Sequence, residues 1–273
     1  MRRRFGILSL GLALIANLAA SLIAAPAAFA GSPFSDWAGV VVAGDWHAHS
    51  GEPSEVFDNA RRDLTKAFIA AGFSPANISQ FSARPDAYPK EALFKSGPHE
   101  ISERMTALAK QAAGGCLVYI TSHGAPDGVV MDKDQWDPFS VGTLVDNVCA
   151  DRPTVVVVSA CFSGVFVPAV AGPNRMVLTA ARPDRTSFGC GQADRYTYFD
   201  GCFLQSLPQA HDFTALALST RACVARLEIA THATPPSEPQ ISIGAQLRPM
   251  LPLYAFQTPD GHAPAAANST AAP

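Results

Sequence analysis

The chain has 273 residues, of which 48% are hydrophobic and 16% are charged, and its formal net charge is −3. This length allows one sizeable domain with its own core, and the composition excludes a largely disordered protein. The mild acidity argues against nucleic acid as a partner.

The first thirty residues have the pattern of an export signal. Three arginines at positions 2–4 precede an apolar stretch from Phe5 to about Ala25, and Ala28-Phe29-Ala30 fits a cleavage site. We therefore predict a signal peptide over residues 1–30 and a periplasmic or secreted protein. An uncleaved membrane anchor is the alternative, and it is the one way in which we expect the chain to meet a membrane. Removing the three arginines takes the formal charge from −3 to −6.

Apolar runs and helix-spaced patterns alternate along the rest of the chain. Residues 82–97 follow no clear pattern, residues 182–200 predict a long functional loop, and residues 257–273 predict a disordered tail. We predict strands at residues 40–43, 77–81, 116–121, 155–158, 176–180 and 240–244, a hairpin arm at 129–131, and helices beginning near Ser54, Pro98, Pro138 and Asp212.

The run Val155–Val158 decides the fold class. Four consecutive valines cannot alternate between core and solvent, so this strand is predicted to be buried on both faces, as in a parallel sheet. Strands that alternate with helices predict a three-layer α/β/α sandwich with a mostly parallel central sheet. We expect residues 31–256 to form this single domain.

Two reactive side chains follow two of the apolar runs. His123 follows the strand that ends at Thr121, and Cys161 follows the valine run. If the strands are parallel neighbours, both side chains emerge at the same edge, where α/β sheets place their ligands. An imidazole near a thiol can take its proton or form an ion pair with the thiolate. The pair therefore predicts a nucleophile that attacks carbonyl groups.

Gly124 suits the same chemistry, because a residue without a Cβ lets its N–H approach a substrate oxygen. With the Cys161 N–H it would form a two-donor oxyanion hole. The alternative for each residue taken singly is structural: a buried Cys is often packing or half of a disulfide, and a His at a strand end is often inert.

Six cysteines in an exported chain permit disulfides. If Cys161 is the nucleophile, two bridges and one unpaired thiol can be made from the remaining five. Their pairing does not follow from the sequence. These five are Cys116, Cys149, Cys190, Cys202 and Cys223.

The segment Asp45–His49 permits a competing hypothesis. An extended backbone would place Asp45, His47 and His49 on one face, and these residue types bind zinc. That arrangement would favour a metallohydrolase, but a third or fourth ligand is not evident. We therefore predict no metal and no other cofactor, and expect this segment to border the cleft near His123.

The residues around the dyad resemble the legumain family of cysteine peptidases, within the group that includes the caspases. The resemblance rests on a His-Gly after one buried strand, in Thr121–Gly124, and an Ala-Cys after the next, in Ser159–Gly164. It extends to four further segments, which are Val41–Gly44, Thr179–Ala181, Thr186–Cys190 and Tyr196–Phe199. It implies a caspase–hemoglobinase-like fold, with His123 as base or ion-pair partner, Cys161 as nucleophile and Gly124 as an oxyanion donor. Peptides or proteins are the implied substrates.

The chain also departs from that family's pattern. Ser159 stands where legumain has an acidic residue, and Asp45-Trp46 stands where it has an Asn. Strict cleavage after Asn is therefore not supported. We expect Ser159, Thr186 and Ser187 to line the substrate pocket. Little chain follows residue 256, so we expect no activation by removal of a long carboxyl-terminal prodomain.

The residues predict an exported cysteine endopeptidase that works through an acyl-thioester. The same acyl-enzyme resolved by an amine would make a transpeptidase or transamidase. A non-catalytic binding module on the same sheet is the third alternative.

Overall fold

The structure, a computed structural model, describes residues 31–257. The predicted leader, and the predicted tail apart from Gln257, lie outside the described residues. The strands are β1 (Trp37–Ala43), β2 (Ile78–Ser82), β3 (Leu93–Lys95), β4 (Gly115–Thr121), β5 (Gly124–Ala125), β6 (Gly128–Met131), β7 (Asp134–Trp136), β8 (Thr154–Ser159), β9 (Arg175–Thr179) and β10 (Gln240–Ile243).

The helices alternate with these strands as the sequence predicts. They are α1 (Val56–Ala70), α2 (Pro98–Gln111), α3 (Pro138–Cys149), α4 (Phe166–Val170), α5 (Tyr198–Ser206) and α6 (Phe213–Thr231). Pro98 and Pro138 occupy the first turns of α2 and α3, where a missing N–H costs no helical hydrogen bond. The Asp212 carboxylate accepts hydrogen bonds from the N–H groups of Thr214 and Ala215 and so begins α6.

Seven strands form the central sheet in the order β10-β9-β8-β4-β1-β2-β3. Every neighbouring pair is parallel except β10 with β9. The chain builds outward from β1 through β2 and β3, then returns to the other side of β1 as β4 and continues through β8 and β9. The order therefore reverses between β1 and β4, and the loops that follow these two strands lie beside each other.

The valine run shows why the sheet is buried on both faces. Val155 and Val157 pack into a core that also contains side chains of α1, α5 and α6. Val156 and Val158 pack into the opposite core, with side chains of α2, α3 and α4. All four valines are fully buried. The predicted three-layer sandwich is confirmed.

Two segments differ from the sequence expectations, and the predicted hairpin arm at 129–131 agrees with them. The unassigned residues 82–97 contain β3, which adds an edge strand to the sheet. The predicted loop at 182–200 already includes the start of α5, because Thr197 caps that helix. The arm at 129–131 is β6, and it pairs with β5 and β7 in a separate small antiparallel sheet.

One disulfide lies on each side of the central sheet. Cys116 at the start of β4 is bonded to Cys149 at the end of α3, and Cys202 of α5 is bonded to Cys223 of α6. Cys161 and Cys190 are unpaired. None of the helices in residues 31–257 is long and apolar enough to cross a membrane.

Candidate active site

The carboxyl ends of β4 and β8 lie side by side at one edge of the sheet. Thr121 is opposite Ser159, and the Ser122 N–H donates to the Ser159 carbonyl at 3.1 Å. His123 and Cys161 each lie two residues beyond that pair, so the two predicted dyad residues leave the sheet together. The edge adjoins the reversal of strand order between β1 and β4, where open α/β sheets bind their ligands.

The imidazole of His123 is held by a backbone carbonyl. Its Nε2 lies 3.1 Å from the His47 carbonyl oxygen, and the Phe57 ring packs edge-on at 5.0 Å between centroids. A carbonyl oxygen only accepts hydrogen bonds, so Nε2 must carry the proton. The neutral ring then has an unprotonated Nδ1, which is free to accept a proton from another group.

The sulfur of Cys161 is held by the loop that follows β9. The Ser187 N–H donates to Sγ at 3.3 Å, and the Ser187 hydroxyl lies 3.6 Å away. The sulfur also lies 3.7 Å from the Ser187 carbonyl oxygen, to which a thiol can donate. Among the described residues, the sulfur and the His123 imidazole make their hydrogen bonds to these separate partners and not to each other. Apo forms of enzymes often show such open geometry, which tightens when substrate binds.

Gly124 lies directly against the backbone of Cys161. A Cβ at position 124 would stand 2.2 Å from the Cys161 carbonyl oxygen and 2.9 Å from the Ala160 Cβ, so the site has no room for one. Within residues 31–257 the Cys161 N–H makes no hydrogen bond to the protein. The glycine therefore keeps the two segments close, and the Cys161 N–H is available to a substrate oxygen.

The loop after β1 forms one side of the site. The His47 carbonyl reaches His123, and the rings of His49 and His123 lie 6.5 Å apart. The His49 N–H also donates to the Cys190 carbonyl at 3.0 Å. These residues border the cleft near His123, as the sequence analysis expected.

Cys190 is the second unpaired thiol at this edge. Burial, and to a lesser extent the nearby charge of Cys161, raise the pKa of Cys190 to about 11. At neutral pH this thiol keeps its proton and is a poor nucleophile. Cys161, which faces a backbone donor, is therefore the better candidate for covalent chemistry.

A family model for the peptidase C13 family matches residues 96–238, just over half of the chain, and this range includes His123, Cys161 and Ser187. The chain belongs to the peptidase C13 family. The resemblance to the legumain family is confirmed, and the protein is a cysteine-type peptidase, a hydrolase of peptides or proteins.

The fold agrees with that of a caspase. Caspase-1 from Spodoptera frugiperda superimposes with a TM-score of 0.56 at 14% sequence identity, over 78% of this chain and 88% of that one. At this identity the likeness concerns the fold alone, and it confirms the predicted caspase-like architecture. A search of curated proteins found no match to this C13 peptidase.

The three predicted pocket residues occupy different environments in the C13 peptidase. Ser187 contacts the Cys161 sulfur, and Thr186 beside it is exposed. Ser159 is only 1% exposed, and its hydroxyl lies 3.3 Å from that of Thr197. The structure thus places Ser187 next to the Cys161 sulfur and Ser159 inside the protein. Their contact with substrate stays a prediction.

Asp200 is a buried acid that the sequence analysis did not single out. It accepts hydrogen bonds from the Tyr119 hydroxyl at 2.8 Å and the Thr121 hydroxyl at 2.6 Å. Burial raises the pKa of Asp200, and hydrogen bonds from the surrounding hydroxyls oppose that rise. The detectable signal was the spacing Thr197-x-x-Asp200, a helix-start pattern in which the Thr197 hydroxyl accepts from the Asp200 N–H at 3.0 Å.

The zinc hypothesis finds no support in the geometry. The Asp45 carboxylate is hydrogen-bonded to the His47 Nδ1 at 2.7 Å, so these two candidate ligands bind each other. Within residues 31–257, no group of three or more His, Cys, Asp or Glu side chains is arranged to hold a metal ion. The sequence analysis also missed the contact of this loop with His123, because the His47 carbonyl oxygen that makes it is a backbone atom and leaves no sequence signature.

Proposed function

We propose that this C13 peptidase is an exported endopeptidase that hydrolyses peptide bonds through an acyl-thioester on Cys161, with His123 as the proton acceptor. The observation that carries the proposal is the hydrogen bond from His123 Nε2 to the His47 carbonyl. It assigns the proton to Nε2 and leaves Nδ1 as a base at the strand end beside that of Cys161.

The first half of the reaction forms the thioester. Nδ1 of His123 takes the thiol proton, and Sγ of Cys161 attacks the carbonyl carbon of the scissile bond. The N–H groups of Cys161 and Gly124 bind the oxyanion, and loss of one such donor typically costs about 10²–10³ in rate. The imidazolium then gives its proton to the amide nitrogen as the C–N bond breaks and the amine leaves.

The second half regenerates the enzyme. His123 takes a proton from a water molecule that attacks the thioester carbonyl, and the C–S bond breaks as the acid product forms. The sulfur leaves as a thiolate, which the Ser187 N–H stabilises at 3.3 Å. The balance of the reaction is one peptide bond and one water in, and one acid and one amine out.

Export is supported by two independent features. Residues 1–30 have the charge and apolar pattern of a signal peptide. The two disulfides fit an oxidising compartment, where such bonds persist. Both features support the proposal that the mature enzyme works in the periplasm or outside the cell.

Replacing the dyad residues tests the mechanism. We expect Cys161→Ala to abolish hydrolysis of fluorescein-labelled casein, and His123→Ala to lower kcat by at least ~10²-fold, because general-base catalysis typically contributes that much. Cys190→Ser is the matched control, since its thiol is predicted to remain protonated and unreactive. The three variants and the wild type are compared by initial rates and by circular dichroism.

The outcome that contradicts the mechanism is full casein hydrolysis by a folded Cys161→Ala or His123→Ala variant. Loss of activity in Cys190→Ser, in which Cys161 is intact, would contradict the assignment of Cys161 as the nucleophile. Mass spectrometry of the enzyme after mixing with substrate should detect the acyl adduct on Cys161.

A further inference from the structure

We propose that Asp45 is a positioning residue for catalysis: its carboxylate fixes His47, whose carbonyl in turn orients the His123 imidazole. The inference rests on the proposed role of His123 and adds a residue that touches neither substrate nor sulfur. Its evidence is a chain of contacts that begins at the end of β1.

One oxygen of Asp45 holds its two successors. Oδ1 accepts hydrogen bonds from the Trp46 N–H at 2.6 Å, the His47 N–H at 3.1 Å and the His47 Nδ1–H at 2.7 Å. The residue is only 9% exposed, so these donors face little competing water. His47 is thereby anchored through both its backbone nitrogen and its side chain.

The next peptide group is fixed from its other side. The Ala48 N–H donates to the Glu52 carbonyl at 2.7 Å, while the His47 carbonyl of the same peptide unit accepts from His123 at 3.1 Å. Because a peptide unit is planar, these two contacts and the anchoring of His47 define where the carbonyl points. The orientation of His123 depends on that direction.

The base of the loop is immobilised by Gly44. Its N–H donates to the Thr121 carbonyl at 2.9 Å, and its own carbonyl accepts from the Asp132 N–H at 2.7 Å. A Cβ at Gly44 would stand 2.3 Å from the Val130 carbonyl oxygen, so the chain passes here with no space to shift. The segments that carry Asp45 and His123 are therefore both fixed at the carboxyl end of β4.

Removal of the carboxylate should affect the chemical step rather than substrate binding. Without Asp45 Oδ1 the two N–H groups and the His47 ring lose their common acceptor, and the His47 carbonyl can drift from the imidazole. A misplacement of ~1 Å in a catalytic group can cost about 10²-fold in rate. The predicted pocket residues Thr186 and Ser187 lie on a different loop, the one that follows β9, so KM should be preserved.

The test compares Asp45→Ala with Asp45→Asn, using Asp127→Ala as the control. Asp127 is an exposed turn carboxylate that accepts from the Gln135 side chain at 2.6 Å. We expect Asp45→Ala to lower kcat on fluorescein-labelled casein by ~10- to 100-fold with KM unchanged, because the general base is displaced. Asp45→Asn, which keeps an oxygen acceptor, and Asp127→Ala should retain the wild-type kcat.

A second readout is independent of substrate. The rate at which iodoacetamide alkylates Cys161 should fall in Asp45→Ala and stay unchanged in Asp45→Asn and Asp127→Ala, because a displaced imidazole no longer assists ionisation of the thiol. If Asp45→Ala fails to fold, Asp45→Ser replaces it, since its hydroxyl can still accept from a backbone N–H but is too short to hold the His47 ring. A lower kcat is again expected.

A folded Asp45→Ala or Asp45→Ser variant with the wild-type kcat and alkylation rate overturns the inference. A drop in kcat that Asp45→Asn fails to rescue also overturns it, because the role assigned to Asp45 needs an acceptor oxygen. Activity in His123→Ala would instead refute the proposed function. A fully active Asp45→Ala beside an inactive His123→Ala would refute this inference alone.

Discussion

At the scale of single residues, the two unpaired thiols differ in what surrounds the sulfur. The Cys161 sulfur accepts a hydrogen bond from the Ser187 N–H at 3.3 Å. The pKa of Cys190 is raised to about 11, chiefly because burial disfavours the charged form of its thiol. Chemical reactivity should therefore separate two thiols that sequence composition treats as equivalent.

We expect iodoacetamide at pH 7 to modify Cys161 and to leave Cys190 unmodified. Labelling of Cys190 should rise only as the pH approaches about 11, since the thiolate is the reactive form. Peptide mapping by mass spectrometry gives the extent at each site, and labelling in urea confirms that both thiols are reactive when exposed. Equal labelling of the two in the folded enzyme at pH 7 contradicts this assignment.

At the scale of secondary-structure elements, two acidic residues at helix starts have opposite environments. Asp137 caps α3 by accepting from the Ser140 N–H and hydroxyl, and these hydrogen bonds lower the pKa of Asp137. Asp200 lies in the first turn of α5 and joins that helix to β4 through Tyr119 and Thr121, and burial raises the pKa of Asp200. The first carboxylate favours folding when it is charged, and the second opposes folding when it is charged.

These opposite shifts predict opposite pH dependence for Asp137→Asn and Asp200→Asn. A lowered pKa supplies stability above the unfolded pKa that is lost as the pH falls, so the Tm of Asp137→Asn should decrease relative to wild type as the pH rises from 3 to 7, spanning the ordinary Asp pKa of about 3.9. A raised pKa supplies stability below the unfolded pKa that is lost as the pH rises, so the relative Tm of Asp200→Asn should increase.

Thermal unfolding followed by circular dichroism across this range checks both variants. Each serves as the control for the other, because the substitution is identical and only the environment differs. Parallel pH trends in the two variants would show that these environments are not as described.

At the scale of the whole molecule, the stability contributed by the two disulfides depends on export directed by the predicted leader. The Cys116–Cys149 bond closes a separation of 33 residues and the Cys202–Cys223 bond one of 21. Disulfides that close loops of these lengths typically stabilise a fold by about 3–4 kcal/mol each. This contribution depends on the compartment, because a reducing cytosol disfavours both bonds.

We expect a chain expressed with residues 1–30 in a bacterium to be recovered from the periplasm or medium. Its intact mass should fit a start at Gly31 with two disulfides. A chain that begins at Gly31 and remains in the cytosol should carry six reduced thiols and a lower Tm. Recovery of the first chain in the cytosolic fraction, or with its leader retained and its thiols reduced, contradicts export.

Much of the architecture followed from local pattern. Val155–Val158 predicted a doubly buried strand, and Pro98 and Pro138 marked two helix starts, because these features depend on burial periodicity and on neighbouring residues. The segments without such a pattern were the least predictable. β3 has three residues at the edge of the sheet, and α5 begins inside what reads as a loop, so both depend on contacts made elsewhere.

The three-layer α/β architecture, and the His-Gly and Ala-Cys motifs after two buried strands on which the family resemblance rests, were predictable from the amino-acid pattern alone. The groups that surround these motifs were not, because they come from distant parts of the chain. His47 and His123 are 76 residues apart, and Ser187 lies 26 residues after Cys161, so the order of strands in the sheet brings each pair together. The atoms that hold the dyad are a carbonyl oxygen and an N–H group, which every residue possesses and no amino-acid letter records.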